Sequence, residues 1–184
     1  VLVVSHFFSL KYVKYLSWML VALVVLSDQT TKWLVVAHFD HGQTVSYLPF
    51  LSVTLAFNHG IAFGELSALH DWQSLLLLMS IMAVVIGLAV WLARLDKSNA
   101  WLSFALSFIL GGAVGNLIDR LNYGYVIDFI DFNWGEWHWF IFNVADIAIS
   151  TGVAMMLLLM WVKRDDSTSS VDPCVHDVTE SQEA

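Results

Sequence analysis

The chain has 184 residues, 58% of them hydrophobic and only 13% charged, with a mean hydropathy of +0.69. A soluble domain is roughly 45–50% apolar and about 25% charged, so these values all but exclude a water-soluble globular protein. The formal charge of −8 comes from 16 acids against 8 bases. Six of those acids (Asp165, Asp166, Asp172, Asp177, Glu180 and Glu183) lie in residues 165–184, which hold no Lys or Arg. The body keeps 10 acids and 8 bases. With no basic face to neutralise phosphates, nucleic acid is excluded as a partner. The single cysteine, Cys174, excludes an intrachain disulfide and a cysteine metal cluster.

In chain order, the first candidate span runs from about Tyr15 to Ala37 and carries Asp28 and Lys32. It has no small-residue cleavage site behind it and is expected to be retained. A loop follows, in which Gln43 to Phe57 alternates roughly and is rich in β-branched residues, with a break at Pro49. That pattern predicts short strands and a turn, lying against the membrane surface. Trp72 to Ala93 and Ser98 to Ile118 contain no charged residue and read as two further spans. The last span, about Trp139 to Val162, carries only Asp146. Each is long enough for a bilayer, which takes about 20 apolar residues. Trp33, Trp72, Trp101, Trp139 and Trp161 stand near span ends, where amphipathic rings meet the headgroups. Residues 1–164 thus form one membrane domain. Residues 165–184 are Ser-rich and acidic, and disorder is expected there.

Basic residues set the orientation. Lys11 and Lys14 precede the first span, Arg94 and Lys97 separate the second and third, and Lys163 and Arg164 follow the fourth. Residues 38–71 have no Lys or Arg, and residues 119–138 have only Arg120. The positive-inside rule then places both termini in the cytoplasm and two loops outside. In that orientation Asp28, Lys32, Asn116, Asp119, Arg120, Asp128, Asn143 and Asp146 all converge on the outer leaflet.

An ionisable residue in a span costs roughly 2.5–3.5 kcal/mol on insertion scales, so each one asks for a reason. Asp28 and Lys32 are one helical turn apart and can pair, as a structural ion pair or as part of a site. Arg120 can support a carboxylate or bind a substrate carbonyl. Asp128 and Asp146 sit in apolar runs with no Lys or Arg within five residues. Two such carboxylates brought together share a proton. One can then act as general base on water while the other donates to a carbonyl oxygen, which suits amide hydrolysis without a metal. Either could instead cap a helix or bond to the sheet. None of the seven histidines lies mid-span, and H-E-x-x-H, G-x-S-x-G and P-loop patterns are absent.

Five stretches carry a resemblance: Asp28 to Lys32 (DQTTK), Phe57 to Gly64 (FNHGIAFG), Gly111 to Arg120 (GGAVGNLIDR), Val126 to Phe129 (VIDF) and Phe142 to Asp146 (FNVAD). Their order and the four-span frame resemble the lipoprotein signal peptidases (type II signal peptidases) over about residues 15–162. The resemblance implies a bacterial inner-membrane aspartic endopeptidase that cuts diacylglyceryl-modified prolipoproteins just before the lipidated cysteine. It implies no metal or cofactor, membrane lipid as the surroundings and a monomer. By motif position the catalytic pair maps to Asp128 and Asp146. Asn58, Asn116, Arg120 and Asn143 map to groups that hold the substrate and orient the carboxylates. Asp119, beside Arg120, maps to a salt-bridged support, and Asp28 and Lys32 map to supports for the outer loops. The implied fold is an all-α membrane protein, four transmembrane helices with a small extracytoplasmic β-rich cradle and a short surface helix near Ser67 to Trp72.

Three rivals fit less well. A proton-relay transporter would gather its charges near the midplane. A quinone-coupled disulfide oxidase needs cysteine pairs outside the membrane. A structural scaffold needs no intramembrane acids. Gly111, Gly112 and Gly115 allow close helix approach or leave room for an acyl chain.

Overall fold

The computed structural model describes residues 12–60, 71–96, 99–134 and 137–168. Four helices are long and apolar enough to cross a membrane: α1 (Val13–His38), α2 (Asp71–Arg94), α3 (Ala100–Tyr123) and α4 (Val144–Thr168). A helix satisfies its backbone within the segment, the condition lipid imposes on any spanning chain. The buried positions of α1 are Val13, Ser17, Val21, Val24, Asp28 and Lys32. Their spacing of three and four makes one stripe along the helix. The opposite face, with Leu23, Leu26 and Trp33, is exposed. The stripe begins apolar and ends charged, so the polar site lies at one end of the bundle.

Helix α3 is the hub and packs against α1, α2 and α4. Leu106 and Leu110 anchor its core with Val21 and Leu92. Its glycines permit the close approach. A Cβ on Gly111 would lie 2.7 Å from Val24 Cβ, one on Gly115 would lie 2.6 Å from Asp28 Oδ2, and one on Gly112 would collide with the Ala145 carbonyl. Helix packing accounts for these three glycines.

Four antiparallel strands form a sheet of order β1-β2-β3-β4: β1 (Thr44–Leu48), β2 (Leu51–Asn58), β3 (Val126–Trp134) and β4 (Trp137–Phe142). The first hairpin lies where its alternation predicts, turning at Pro49 and Phe50. β3 joins sheet to bundle: Val126, Ile127, Asp128 and Phe129 are all buried, and the strand meets α1 and α3. Gly124, with φ +81°, ends α3 in the left-handed conformation and donates its N–H to Arg120 O at 3.0 Å. Only glycine takes that φ without cost. β3 therefore starts two residues beyond the helix.

The boundaries differ from expectation in three places. The fourth span begins at Val144 rather than Trp139, because Phe140, Ile141 and Phe142 pair with Phe132, Asp131 and Ile130. Aromatic and β-branched residues suit a strand as well as a membrane span, and hydropathy alone does not separate the two. Asp128, expected in a loop, is in strand β3. The third span continues to Tyr123, so Asp119 and Arg120 are helical. Of the expected surface helix, Asp71 and Trp72 open α2, and Ser67 to His70 lie outside the described residues. Helix α4 runs into the acidic segment as far as Thr168, and 169–184 lie outside the described residues.

Candidate active site

Asn143 holds the site together. As the residue before α4 it caps that helix: its Oδ1 accepts the Asp146 N–H at 2.9 Å, and its own N–H donates to Asp146 Oδ2 at 3.1 Å. This is the reciprocal capping box of an N-cap residue and an acid three positions on. The Asn143 side-chain amide then reaches off the helix to β3. Its Nδ2 lies 2.6 Å from Asp128 Oδ1, 3.1 Å from Asn116 Oδ1 and 3.3 Å from Ile127 O. One buried amide therefore touches both Asp128 and Asp146.

Each carboxylate has a second amide. Asn58, the last residue of β2, donates from Nδ2 to Asp128 Oδ2 at 2.9 Å. Asn116 of α3 donates from Nδ2 to Asp146 Oδ1 at 2.9 Å. Asp128 is 2% exposed, whereas Asp146 is half-buried. Burial pushes the Asp128 carboxyl up to about 6, and the charge of Asp146 pushes the same way. The Asn58 and Asn143 bonds and the Lys32 charge pull it back. Desolvation dominates, as expected for an acid with few charged partners.

Behind this pair lies an ion cluster. Lys32 Nζ is 2.8 Å from Asp28 Oδ2, 2.7 Å from Asp119 Oδ2 and 3.0 Å from Asn116 Oδ1. Lys32, Asp28 and Asp119 are essentially sealed from solvent. The expected Asp28–Lys32 pair forms. Asp119 is salt-bridged to Lys32 rather than to its neighbour Arg120, because adjacent helical residues point apart. Asp28 Oδ1 accepts the Ala145 N–H at 2.9 Å, so it supports the start of α4 directly. Asp119 Oδ2 also accepts the Ile127 N–H at 3.1 Å and so holds β3 beside Asp128.

Arg120 lies half-buried, with Nη1 3.3 Å from Asn116 O. No carboxylate lies within ion-pair distance of it among the described residues, although the charges of Asp128, Asp119 and Asp146 act on it. Gly60, at φ +79°, brings its Cα hydrogens to the guanidinium: a Cβ there would be 3.5 Å from Nη2. The Gly60 N–H donates to Asn58 Oδ1 at 2.9 Å, which orients the Asn58 amide toward Asp128. Ile61 to Gly64 of that motif lie outside the described residues.

Two participants were not singled out from the sequence. Gln29 donates from Nε2 to Asp119 Oδ1 at 2.9 Å and lies 3.1 Å from Gly115 O. Its signal was a polar side chain between Asp28 and Lys32 in the first span. Asp131 is fully buried and accepts from Thr54 Oγ1 at 2.8 Å. It is a second acid in the run Ile127-Asp128-Phe129-Ile130-Asp131. Among the described residues no group of three His, Cys, Asp or Glu is arranged to hold a metal ion. His41 and His59 instead pack on aromatic rings, those of Phe57 and Tyr125.

The four-span bundle that carries these amide-held carboxylates is a shape found among solved proteins. Two bacterial membrane enzymes solved by the in meso method superpose on the chain. One has a TM-score of 0.69 at 31% identity, covering 78% of this chain and 91% of that one. The other has a TM-score of 0.71 at 30% identity, covering 85% and 92%. The fold is thus that of a multi-pass bacterial membrane enzyme. The particular family is given by the sequence: the model for Signal peptidase (SPase) II matches residues 20–162. The lipoprotein signal peptidase of Coxiella burnetii (strain Dugway 5J108-111) is 44% identical over 138 residues, 75% of this chain and 85% of that protein. The lipoprotein signal peptidase of Cellvibrio japonicus is 42% identical over 163 residues, 88% of this chain and 95% of that one. The chain belongs to the signal peptidase II family, membrane proteases that cleave the signal peptides of lipoproteins.

Proposed function

We propose that the chain hydrolyses the peptide bond just before a diacylglyceryl-modified cysteine in prolipoproteins, with Asp128 and Asp146 as the catalytic pair. The observation that carries this reading is the Asn143 bridge, which ties one oxygen of Asp128 to the backbone and side chain that hold Asp146. Asp128, pushed up to about 6 by burial, holds the proton. Asp146, bonded through both oxygens by Asn116 and Asn143, takes one from water.

In the first step water oxygen attacks the scissile carbonyl carbon. Asp146 accepts the water proton while Asp128 donates to the carbonyl oxygen, giving a neutral gem-diol. In the second step Asp146 returns its proton to the leaving nitrogen as the C–N bond breaks. Asp128 recovers a proton from the gem-diol hydroxyl as the carbonyl reforms. Both acids end as they began. No metal or cofactor enters these steps.

Arg120 and Asn58 hold backbone carbonyls of the substrate, and Asn116 and Asn143 keep the carboxylates aligned. Asp28, Lys32 and Asp119 brace the ends of α1, α3 and α4. With both termini cytoplasmic, the site faces the outer leaflet, where acyl chains and a signal helix would hold a scissile bond at the interface. The chain acts as a monomer in lipid.

The test is cleavage of a purified diacylglyceryl prolipoprotein, read as a gel shift. Asp128→Asn and Asp146→Asn each abolish cleavage while the protein stays folded in detergent. Full activity in either variant would overturn the pair.

A further inference from the structure

The buried ion cluster has no place in the two steps above, yet it contacts one of the amides that touch the carboxylates. An ammonium has three hydrogens to donate and no lone pair. Lys32 places all three, on Asp28 Oδ2, Asp119 Oδ2 and Asn116 Oδ1. The third contact is the informative one. Only an oxygen can face the ammonium, so the Asn116 amide is locked with its oxygen toward Lys32 and its nitrogen toward Asp146. Asn143 Nδ2, 3.1 Å from the same oxygen, enforces the same orientation. Asp146 Oδ1 is thereby obliged to accept, from a donor polarised by a full positive charge 3.0 Å behind it.

Asp128 receives no such donor. Its two amides, Asn58 and Asn143, present their oxygens to backbone groups: Asn58 Oδ1 accepts an N–H from Gly60, and Asn143 Oδ1 accepts one from Asp146. The two carboxylates therefore differ in what stands behind their hydrogen bonds. Asp146 also sits in the first turn of α4, where the helix favours negative charge.

The geometry points to Lys32 as a positioning residue that acts through Asn116 to make Asp146 the water-activating member of the pair. This rests on the catalytic reading of Asp128 and Asp146 and assigns their division of labour. Asp28 and Asp119 hold the ammonium so that it presents its third hydrogen to Asn116. The ionisable groups facing Lys32 are Asp28 on its own helix and Asp119 on α3. Asp146 on α4 is reached through Asn116. Asp128 on β3 lies beyond ion-pair distance of Lys32 but feels its charge.

Two variants break this relay without leaving an unpaired buried charge. Asp28→Asn with Lys32→Met and Asp119→Asn removes every charge of the cluster, so no buried carboxylate is left without its partner. Asn116→Leu keeps the cluster and removes only the amide, at similar volume. kcat and KM are measured from pH 4.5 to 9 in detergent with a diacylglyceryl prolipoprotein. A donor lost to a carboxylate weakens its ionised form, so in both variants the acidic limb of the kcat profile moves to higher pH, by about one pH unit. At the optimum kcat falls about 100-fold, and KM stays within about threefold. Lys32→Arg retains a donor and keeps the wild-type acidic limb, whatever its kcat.

A folded variant of either kind with an unmoved acidic limb overturns the relay, as does a loss confined to KM. If one variant does not fold, the other decides. Asp146→Asn separates the two readings. When it is inactive and the limb still does not move, the relay alone is lost. When it is active, the catalytic pair itself is lost.

Discussion

Asn143 and Asp146 hydrogen-bond each other twice across the first turn of α4, backbone to side chain in both directions at 3.1 and 2.9 Å. The same Asn143 donates to Asp128 at 2.6 Å. A helix cap and the alignment of the proposed catalytic pair are thus one set of atoms. Asp146 caps the helix and is tied to Asp128 through the capping partner.

Asn143→Ala tests this double role. Losing the cap costs about 1 kcal/mol of stability, a small drop in the thermal melt. Losing the bridge lowers kcat by about 100-fold or more, far beyond what the stability change explains. Asn143→Ser, which keeps a capping oxygen but cannot reach Asp128, restores the melt and leaves the activity low. Recovery of activity together with stability would make Asn143 a cap and nothing more.

If Asp128 is the acid of the proposed pair, its carboxyl at about 6 sets one limb of the pH profile. Its protonated form is then the active one, and kcat/KM falls as pH rises through about 6. Asn58 donates to the ionised form and holds this value down. Asn58→Ala therefore moves the alkaline limb of kcat/KM to higher pH, and a shift to lower pH would contradict the assignment.

Burial of Asp128 also makes stability depend on pH. Its folded value lies above the ordinary 3.8, so the folded state binds the proton more tightly than the unfolded state. The contribution of this group is fully present below about pH 4 and is lost as pH rises through about 6. The loss is up to ~3 kcal/mol, at about 1.4 kcal/mol for each pH unit separating the folded and unfolded values. Asp128→Asn removes the charge, so it melts higher than wild type at about pH 8, with the difference closing by about pH 4. Thermal unfolding in detergent at the two pH values gives the comparison.

Helix approach is tested at two glycines. Gly112→Ala drives a Cβ into the Ala145 carbonyl beside Asp146. It destabilises by roughly 1–3 kcal/mol, the usual cost of overpacking, and lowers activity by displacing the start of α4. Gly87 in α2 has nothing within 4 Å of its Cβ position. Gly87→Ala there gains up to about 1 kcal/mol of helix propensity and leaves cleavage intact. Equal effects at the two sites would remove the packing explanation.

Orientation is read by thiol labelling of intact cells with a membrane-impermeant reagent. Tyr47 is 65% exposed on β1. With both termini inside, Tyr47→Cys is labelled while the native Cys174 is labelled only after the cells are opened. The reverse pattern would invert the protein in the membrane.

Much of this protein is set by composition along the chain. Long charge-free runs such as Trp72 to Ala93 can only cross lipid as helices, because nothing else in such a run satisfies the backbone there. The few acids and amides left in or beside such runs therefore stood out individually, and Asp28, Lys32, Asn116, Asp119, Asp128, Asn143 and Asp146 all meet in one cluster. The first hairpin was equally legible from its alternation. Local pattern failed where two environments want the same residues. Trp139 to Phe142 read as the start of a span and forms a strand, since aromatic and β-branched side chains suit both.

Partners were decided only by the tertiary structure. Nothing in residue spacing says that Lys32 pairs with Asp119 on another helix, or that Asp28 supports a helix beginning at Val144. Those contacts exist because glycines on α3 let α1 and α4 approach it closely. The low charged fraction marked which residues mattered. Which of them touch was set by packing, through distances that hydropathy does not encode.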